Sequence, residues 1–282
     1  MFENLVVTNA DALTYTLLGT GTTFACTVLG AASVFVFGKK AFAHGAQSDA
    51  GASKVETISL GFAAGIMIAA AVWSLLIPAM ELAREAGARP WLHATGGFLA
   101  GALFLKILDM AMPHLHPGSS TPEGPKTKLH RAQLLFIAIT LHNLPEGGAV
   151  GLSSGMAAME MDSLGPASAL ALAVGIGLQN IPEGAAVAIP MMGLSYSKFK
   201  AFLYGAFSGI VEPICGILVC LLLPFFAPAM PFFLAFAAGA MIYVVVEELI
   251  PAAHLSEHSD AGTLAVIIGF ALMMTMDTML AS

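Results

Sequence analysis

The sequence predicts an all-α fold, a polytopic membrane bundle of eight transmembrane helices that forms a single domain over residues 1–282. Hydrophobic residues make up 57% of the chain and charged residues only 10%, and the mean hydropathy is +0.84, far from the averages of soluble domains. Apolar runs of about 20 residues, enough to cross a hydrocarbon core of ~30 Å, recur along almost the whole chain. We expect spans at about 13–37, 57–80, 91–112, 131–152, 164–192, 198–223, 231–250 and 261–281.

The first three spans are apolar helices with few charged residues. The first run, about 25 residues, is too long for a secretory signal, and its amino-terminal flank carries Glu3 and Asp11 but no basic residue. The second span has glycines four residues apart, at Gly61 and Gly65, and the third repeats this spacing, which indicates close helix packing. The connections 38–56 and 113–130 are long and polar, whereas the others are short turns.

The fourth and fifth spans carry near-copies of one polar string. These are His142-Asn143-Leu144-Pro145-Glu146-Gly147 and Gln179-Asn180-Ile181-Pro182-Glu183-Gly184. An acidic side chain at the centre of a spanning helix costs about 2.5 to 3.5 kcal/mol, so a repeated one indicates a functional site. Within each string the three polar side chains are spaced by three and four residues and share one helical face. Two such faces opposed would form one polar chamber.

Prolines in the same strings indicate a path for a cation. Pro145 and Pro182 cannot donate the helical hydrogen bond, so they release the carbonyls of Leu141 and Leu178. Freed carbonyls at membrane depth need water or a cation as partner, which is why broken helices mark substrate sites in transporters. The sixth span repeats the device at Glu212-Pro213.

The expected contents of the chamber favour a divalent metal ion. They are one imidazole, three amides and the carboxylates of Glu146, Glu183 and Glu212, a set that suits Zn²⁺, Fe²⁺ and similar ions. Three ionised glutamates supply a charge of −3, which one divalent ion reduces to −1 and two ions change to +1. Proton uptake by one or two glutamates would cover the metal-free state. Glu247 and Glu248, near the end of the seventh span, are weaker candidates, with a functional and an interfacial role equally open.

Basic residues predict the orientation, because they are retained on the cytoplasmic side. If the amino terminus is outside, the cytoplasmic connections hold Lys39, Lys40, Lys54, Lys126, Lys128, Arg131, Lys198 and Lys200. The outer connections hold only Arg84 and Arg89. We therefore expect both termini outside, the loop 113–130 in the cytoplasm, and a multi-pass protein of the bacterial inner membrane. The net charge of −7, without a basic patch, excludes a nucleic-acid partner.

At these residues the chain resembles the ZIP family of divalent metal transporters, and most closely its prokaryotic GufA-like branch. The resemblance covers nearly the whole chain. It rests on the two strings, on Glu-Pro in the sixth span, on Glu-Glu-Leu-Ile-Pro at the end of the seventh, and on a basic loop with histidines. It implies a 3+2+3 helix arrangement with an inverted repeat, in a homodimer. We identify no trace of that repeat in the sequence itself.

The resemblance also implies a site for two metal ions. The first ion maps onto His142, Glu146, Gln179 and Glu183, with Met67 of the second span approaching it. The second maps onto Asn143, Asn180 and Glu212 and shares the two string glutamates. Ser74 and Glu248 match positions along the transport path. Some relatives carry Asp in place of Asn180, so we expect the second site to be either weaker or more selective here.

The function that follows is zinc uptake into the cytoplasm by alternating access, with Cd²⁺, Fe²⁺ or Mn²⁺ as further substrates. The resemblance implies an elevator motion of spans one, four, five and six against two, three, seven and eight. The modest histidine content of the loop 113–130 argues against metal sensing by that loop.

Two other functions are compatible with a membrane metal site. A membrane-embedded di-metal enzyme would use the same ligands to activate water or oxygen. However, the chain has no His-Glu-x-x-His and no nucleophile beside a base, and His142 is the only imidazole expected in the chamber. A cation channel would need a continuous pore. We therefore expect a transporter and not an enzyme.

Overall fold

The computed structural model describes residues 9–36, 54–113, 124–126, 128–158, 166–194, 196–226, 229–253 and 260–280. Every regular element in these ranges is helical, which confirms the all-α prediction. Most of the connections 38–56 and 113–130, and both chain ends, lie outside the described residues.

Eight long helical segments follow one another along the chain. The first is Asn9–Ala31, continued by Ser33–Val36; the second is Lys54–Ala70, Ala71–Leu76 and Ile77–Glu85; the third is Pro90–Ala111; the fourth is Arg131–Ala157. The fifth is Pro166–Gly193; the sixth is Lys198–Ser208 and Val211–Phe226; the seventh is Met230–Val244, Val245–Leu249 and Ile250–Ala253; the eighth is Asp260–Leu280. Ala71–Leu76 and Val245–Leu249 are π-helical.

Seven of the segments in the described ranges are long and apolar enough to cross a membrane. The fourth is long enough, at 27 residues, but its polar string and the Gly and Ser residues that follow lower its hydropathy. It packs against the fifth, sixth and seventh segments. A less apolar helix is tolerated because neighbouring helices, and not lipid, surround its polar face.

The helices pack as two groups of four. In one group the first span packs on the fifth and the fourth on the sixth, while in the other the second packs on the eighth and the third on the seventh. The main contacts between the groups join the second span to the fifth, the fourth to the seventh, and the fifth to the eighth. This division matches the two blocks that the resemblance implied.

The second and seventh spans repeat one another in sequence and in local structure. Phe62–Ile68 reads F-A-A-G-I-M-I, and Phe236–Ile242 reads F-A-A-G-A-M-I. Both helices then become π-helical at equivalent residues, Ala71 and Val245. Our expectation that the sequence bears no trace of the repeat was therefore wrong. Because four spans, an even number, lie between the second and the seventh, these two run in opposite directions, and the repeat is inverted.

The third and eighth spans complete this repeat. A β-carbon at Gly101 would overlap the carbonyl oxygen of Phe236, and one at Gly269 would overlap that of Phe62. Since Phe62 and Phe236 are equivalent, the third span packs on the seventh as the eighth packs on the second. Asp109 and Asp277, each eight residues after its glycine, are both buried. The two buried acidic residues near the span ends therefore occupy equivalent positions in the two halves of the repeat.

Candidate metal centre

The polar residues of the two strings lie inside the bundle. The seven predicted ligands on the fourth, fifth and sixth spans are at most 5% exposed, and they are His142, Asn143, Glu146, Gln179, Asn180, Glu183 and Glu212. All sit within helices, and Pro145 and Pro182 lie inside the fourth and fifth helices without ending them. Burial of so many polar groups without a counterpart would be strongly unfavourable, so the chamber must supply partners.

Hydrogen bonds between side chains join the three helices at this level. The Gln179 Nε2 donates to Glu146 Oε1 at 2.9 Å, which links the fifth span to the fourth. The Asn180 Nδ2 donates to Glu212 Oε2 at 2.9 Å, which links the fifth to the sixth. The structure therefore brings both strings and the third glutamate together, as a chamber requires.

The fourth span is tied to the sixth by its own amide. The Asn143 Nδ2 donates to the carbonyl oxygen of Ser208 at 2.9 Å, just before the break between the two helical parts of the sixth span. Ser208 is near the end of its helix, where a carbonyl lacks an intrahelical partner. Asn143 thus fixes the point at which the sixth span turns towards Glu212.

The amide nitrogens are engaged, but several buried oxygens have no hydrogen-bond partner. These oxygens are Asn143 Oδ1, Glu146 Oε2, Gln179 Oε1, Asn180 Oδ1 and Glu183 Oε2. A buried acceptor without a partner costs about 1–3 kcal/mol. Carboxylate and amide oxygens are also ligands for divalent cations. Two of these five oxygens are on the fourth span and three are on the fifth. Together they form a set of ligand atoms suited to a cation.

The charged ligands do not form a closed cage. In the described ranges, no group of three or more His, Cys, Asp or Glu side chains is placed to hold an ion. An ion held here would need amide oxygens as further ligands, or a shift of the carboxylates towards it. Either way the ligands belong to three helices, and binding would pull those helices together.

The residues predicted from the second and seventh spans lie in the other four-helix group. The Nε2 of His142 lies 4.0 Å from Glu248 Oε1, which connects the chamber to the seventh span. Met67 is fully buried in an apolar cluster that the fifth span also joins; its ligand role stays a prediction. Ser74 donates from Oγ to Asp277 Oδ1 at 2.8 Å. Ser74 and Glu248 occupy equivalent positions in the two π-helical segments.

The first span contributes threonines that our sequence analysis missed. The Thr27 Oγ1 donates to Glu212 Oε1 at 3.2 Å, and the Asn180 Nδ2 lies 3.4 Å from the carbonyl oxygen of Thr23. A signal for them exists in the sequence, since Thr16, Thr20, Thr23 and Thr27 follow helical spacing. All four are fully buried. Four threonines on one face of an apolar helix indicate contact with a polar interior.

The glycine that ends each string allows a close backbone approach. A β-carbon at Gly147 would lie 2.5 Å from Glu212 Cα, and one at Gly184 would overlap the carbonyl oxygen of Thr27. The two glycines therefore bring the fourth span onto the sixth and the fifth onto the first. The contact at Gly147 places the fourth span directly against the backbone of Glu212.

Comparisons with known proteins identify relatives along most of the chain. A family model described as "ZIP Zinc transporter" matches residues 109–277. The chain is similar to "Zinc transporter ZIP11" of Homo sapiens, with 35% identity over 93% of this chain and 96% of the relative. It is 34% identical to "Zinc transporter ZIPB" of Bordetella bronchiseptica, over 94% and 81%. It is 39% identical to "Zinc transporter GufA" of Myxococcus xanthus, over 73% and 79%.

Proposed function

This chain belongs to the ZIP zinc transporter family, and we propose that it carries zinc and related divalent metal ions into the cytoplasm through the buried chamber. It is a transporter rather than an enzyme. The observation that carries the proposal is the set of five unpartnered oxygens beside His142. Such a set has acceptor oxygens but no Lys or Arg among the seven predicted ligands, so its natural complement is a cation.

We infer that the first ion binds between the two strings. The ligands would be the Nε2 or Nδ1 of His142 and oxygens of Glu146, Gln179 and Glu183. The hydrogen bond from Gln179 Nε2 to Glu146 Oε1 supports this. It occupies one polar atom of each side chain and leaves the other oxygen, Gln179 Oε1 and Glu146 Oε2, without a partner. Imidazole with carboxylate oxygens favours Zn²⁺ over the harder Mg²⁺ and Ca²⁺, which take oxygen ligands alone.

We infer that transport occurs by alternating access between the two four-helix groups. The chamber ligands of the fourth, fifth and sixth spans all belong to one group, whereas Met67, Ser74 and Glu248 belong to the other. A block that moves as a unit would keep its ligands around the ion and change only the side from which the ion is reached. The concentration of contacts within each group supports such a motion.

We further propose that the protein is a multi-pass homodimer in the bacterial inner membrane. Both termini would lie outside the cytoplasm, as the distribution of basic residues predicts. The ion would enter from outside and leave towards the loop 113–130.

Uptake into proteoliposomes tests the function directly. Purified protein reconstituted in liposomes should take up ⁶⁵Zn²⁺ with saturable kinetics, and unlabelled Cd²⁺ or Fe²⁺ should compete while Mg²⁺ should not. A measurement with and without a pH gradient reports proton coupling at once. Uptake that rises linearly with zinc to high concentrations would indicate a channel and contradict the carrier proposal.

His142 should determine metal preference because it is the one nitrogen ligand among oxygens. His142→Ala is expected to lower zinc uptake and to shift competition towards Mn²⁺, which accepts oxygen ligands more readily. The measurement is the ratio of inhibition by Cd²⁺, Fe²⁺ and Mn²⁺ in the same liposomes. His93→Ala, at a partly exposed histidine on the third span, is the matched control and should keep the wild-type profile. An unaltered profile in His142→Ala would exclude its ligand role.

A further inference from the structure

We propose that each protomer binds a single divalent ion, because the position beside Glu212 is filled by two hydrogen-bond donors of the protein itself. The inference rests on the proposed function, since it concerns the same chamber. Of the two ion positions that the family resemblance implies, the second depends on Glu212, and that carboxylate already has a donor on each of its oxygens.

Glu212 has a donor on each of its carboxylate oxygens. The Asn180 Nδ2 donates to Oε2 at 2.9 Å, and the Thr27 Oγ1 donates to Oε1 at 3.2 Å. The carboxylate is fully buried. Hydrogen bonds to an ionised carboxylate are about twice as strong as neutral ones. Two of them, from the fifth and first spans, stabilise the charge of Glu212 without a metal.

The orientation of the Asn180 amide is determined by its surroundings. Its Nδ2 faces Glu212 Oε2 and also lies 3.4 Å from the carbonyl oxygen of Thr23. The carbonyl of Thr23 only accepts, as does Glu212 when it is ionised, so a rotated amide would place Oδ1 against two acceptor oxygens. Asn180 therefore presents a donor, and not a ligand, on the side of Glu212. An ion there would have to displace this donor, because the amide nitrogen and not Oδ1 of Asn180 is the atom that contacts Glu212.

The string glutamates differ from Glu212 in this respect. Glu146 accepts from Gln179 at Oε1 but has no partner at Oε2, and Glu183 has none at Oε2. Their two negative charges match one divalent ion. The remaining charge, on Glu212, is the one that Asn180 and Thr27 stabilise. A single ion thus completes the chamber, whereas a second ion would leave it with an excess positive charge.

The number of bound ions distinguishes the possibilities. The tag-free full chain in detergent, dialysed against Zn²⁺ and assayed by isothermal titration and by elemental analysis, should bind one zinc per protomer. Asn180→Asp removes the donor and adds a ligand of the same size, so the count should rise to two. Asn180→Ala, which removes the donor and adds no ligand, should remain at one.

Each result has a separate meaning. Two zinc ions on the wild-type protein would overturn the inference while leaving the proposed function intact. No bound zinc would instead contradict the proposed chamber. If Asn180→Asp folds and still binds one ion, the role of Asn180 is wrong. If that variant does not fold, the wild-type count alone decides between one ion and two.

Discussion

Glu183→Gln is expected to abolish zinc uptake, with an initial rate in proteoliposomes at least about 100-fold below wild type. The estimate is a lower bound, because loss of a residue that merely orients a metal ligand already costs about 10–100-fold in affinity or activity. Glu183 is 5% exposed and has an unpartnered oxygen. The amide that replaces it has the same shape, so the change removes charge and metal affinity with little effect on packing.

The control for Glu183→Gln is Glu85→Gln, which makes the same chemical change at an exposed carboxylate at the end of the second span. It should leave uptake unaltered. Circular dichroism and size-exclusion chromatography should show that both variants fold as the wild type does. Normal zinc flux through a folded Glu183→Gln protein would contradict the chamber as the transport site.

Gly147→Ala is expected to destabilise the protein and to reduce uptake severely. The new β-carbon would lie 2.5 Å from Glu212 Cα and 2.8 Å from its carbonyl carbon, and backbone atoms cannot rotate away as a flexible side chain can. Overpacking of this kind costs about 1–3 kcal/mol, and more where backbone must move. A shift of the sixth span would also carry Glu212 away from the strings. Thermal unfolding in detergent should therefore occur at a clearly lower temperature.

Gly148→Ala is a matched control one residue along the same helix. Its β-carbon would meet Cys215 Sγ at 3.6 Å, an ordinary van der Waals contact. The variant gains helix propensity, so its unfolding temperature should equal or exceed that of wild type. Equal stability of the two variants would mean that the fourth and sixth spans do not approach as closely as the structure shows.

The sequence alone predicted the all-α membrane fold and the family correctly, because both depend on strong and simple signals. Charged residues are so unfavourable in hydrocarbon that Glu146 and Glu183 stand out from their surroundings without structural information. The helical spacing within each string then predicts which side chains share a face. The assignment of ligands from these strings stays a prediction, supported by the burial and the unpartnered oxygens of the chamber.

The remaining features depend on atoms that come together only in three dimensions. Which end of the Asn180 amide faces Glu212 follows from Thr23 and Glu212, residues more than 150 positions apart in the chain. The π-helical segments depend on backbone hydrogen bonds, which hydropathy does not report. The repeat of Phe62–Ile68 is different, since both copies are visible in the sequence. Small apolar residues are common in membrane helices, so the sequence match alone does not indicate a repeat. The equivalent packing of the two copies does.

The π-helical segments make the two halves of the repeat unequal at one point. Ala71–Leu76 has six residues and Val245–Leu249 has five, and the proline that follows is correspondingly one residue further from Gly65 than its counterpart is from Gly239. Each added residue turns a helix by about 100°. The ends of the second and seventh spans therefore present different faces to the ion path. A carrier with two unlike openings can bind its ion with different affinity at each surface of the membrane, without any change in the ligands between them.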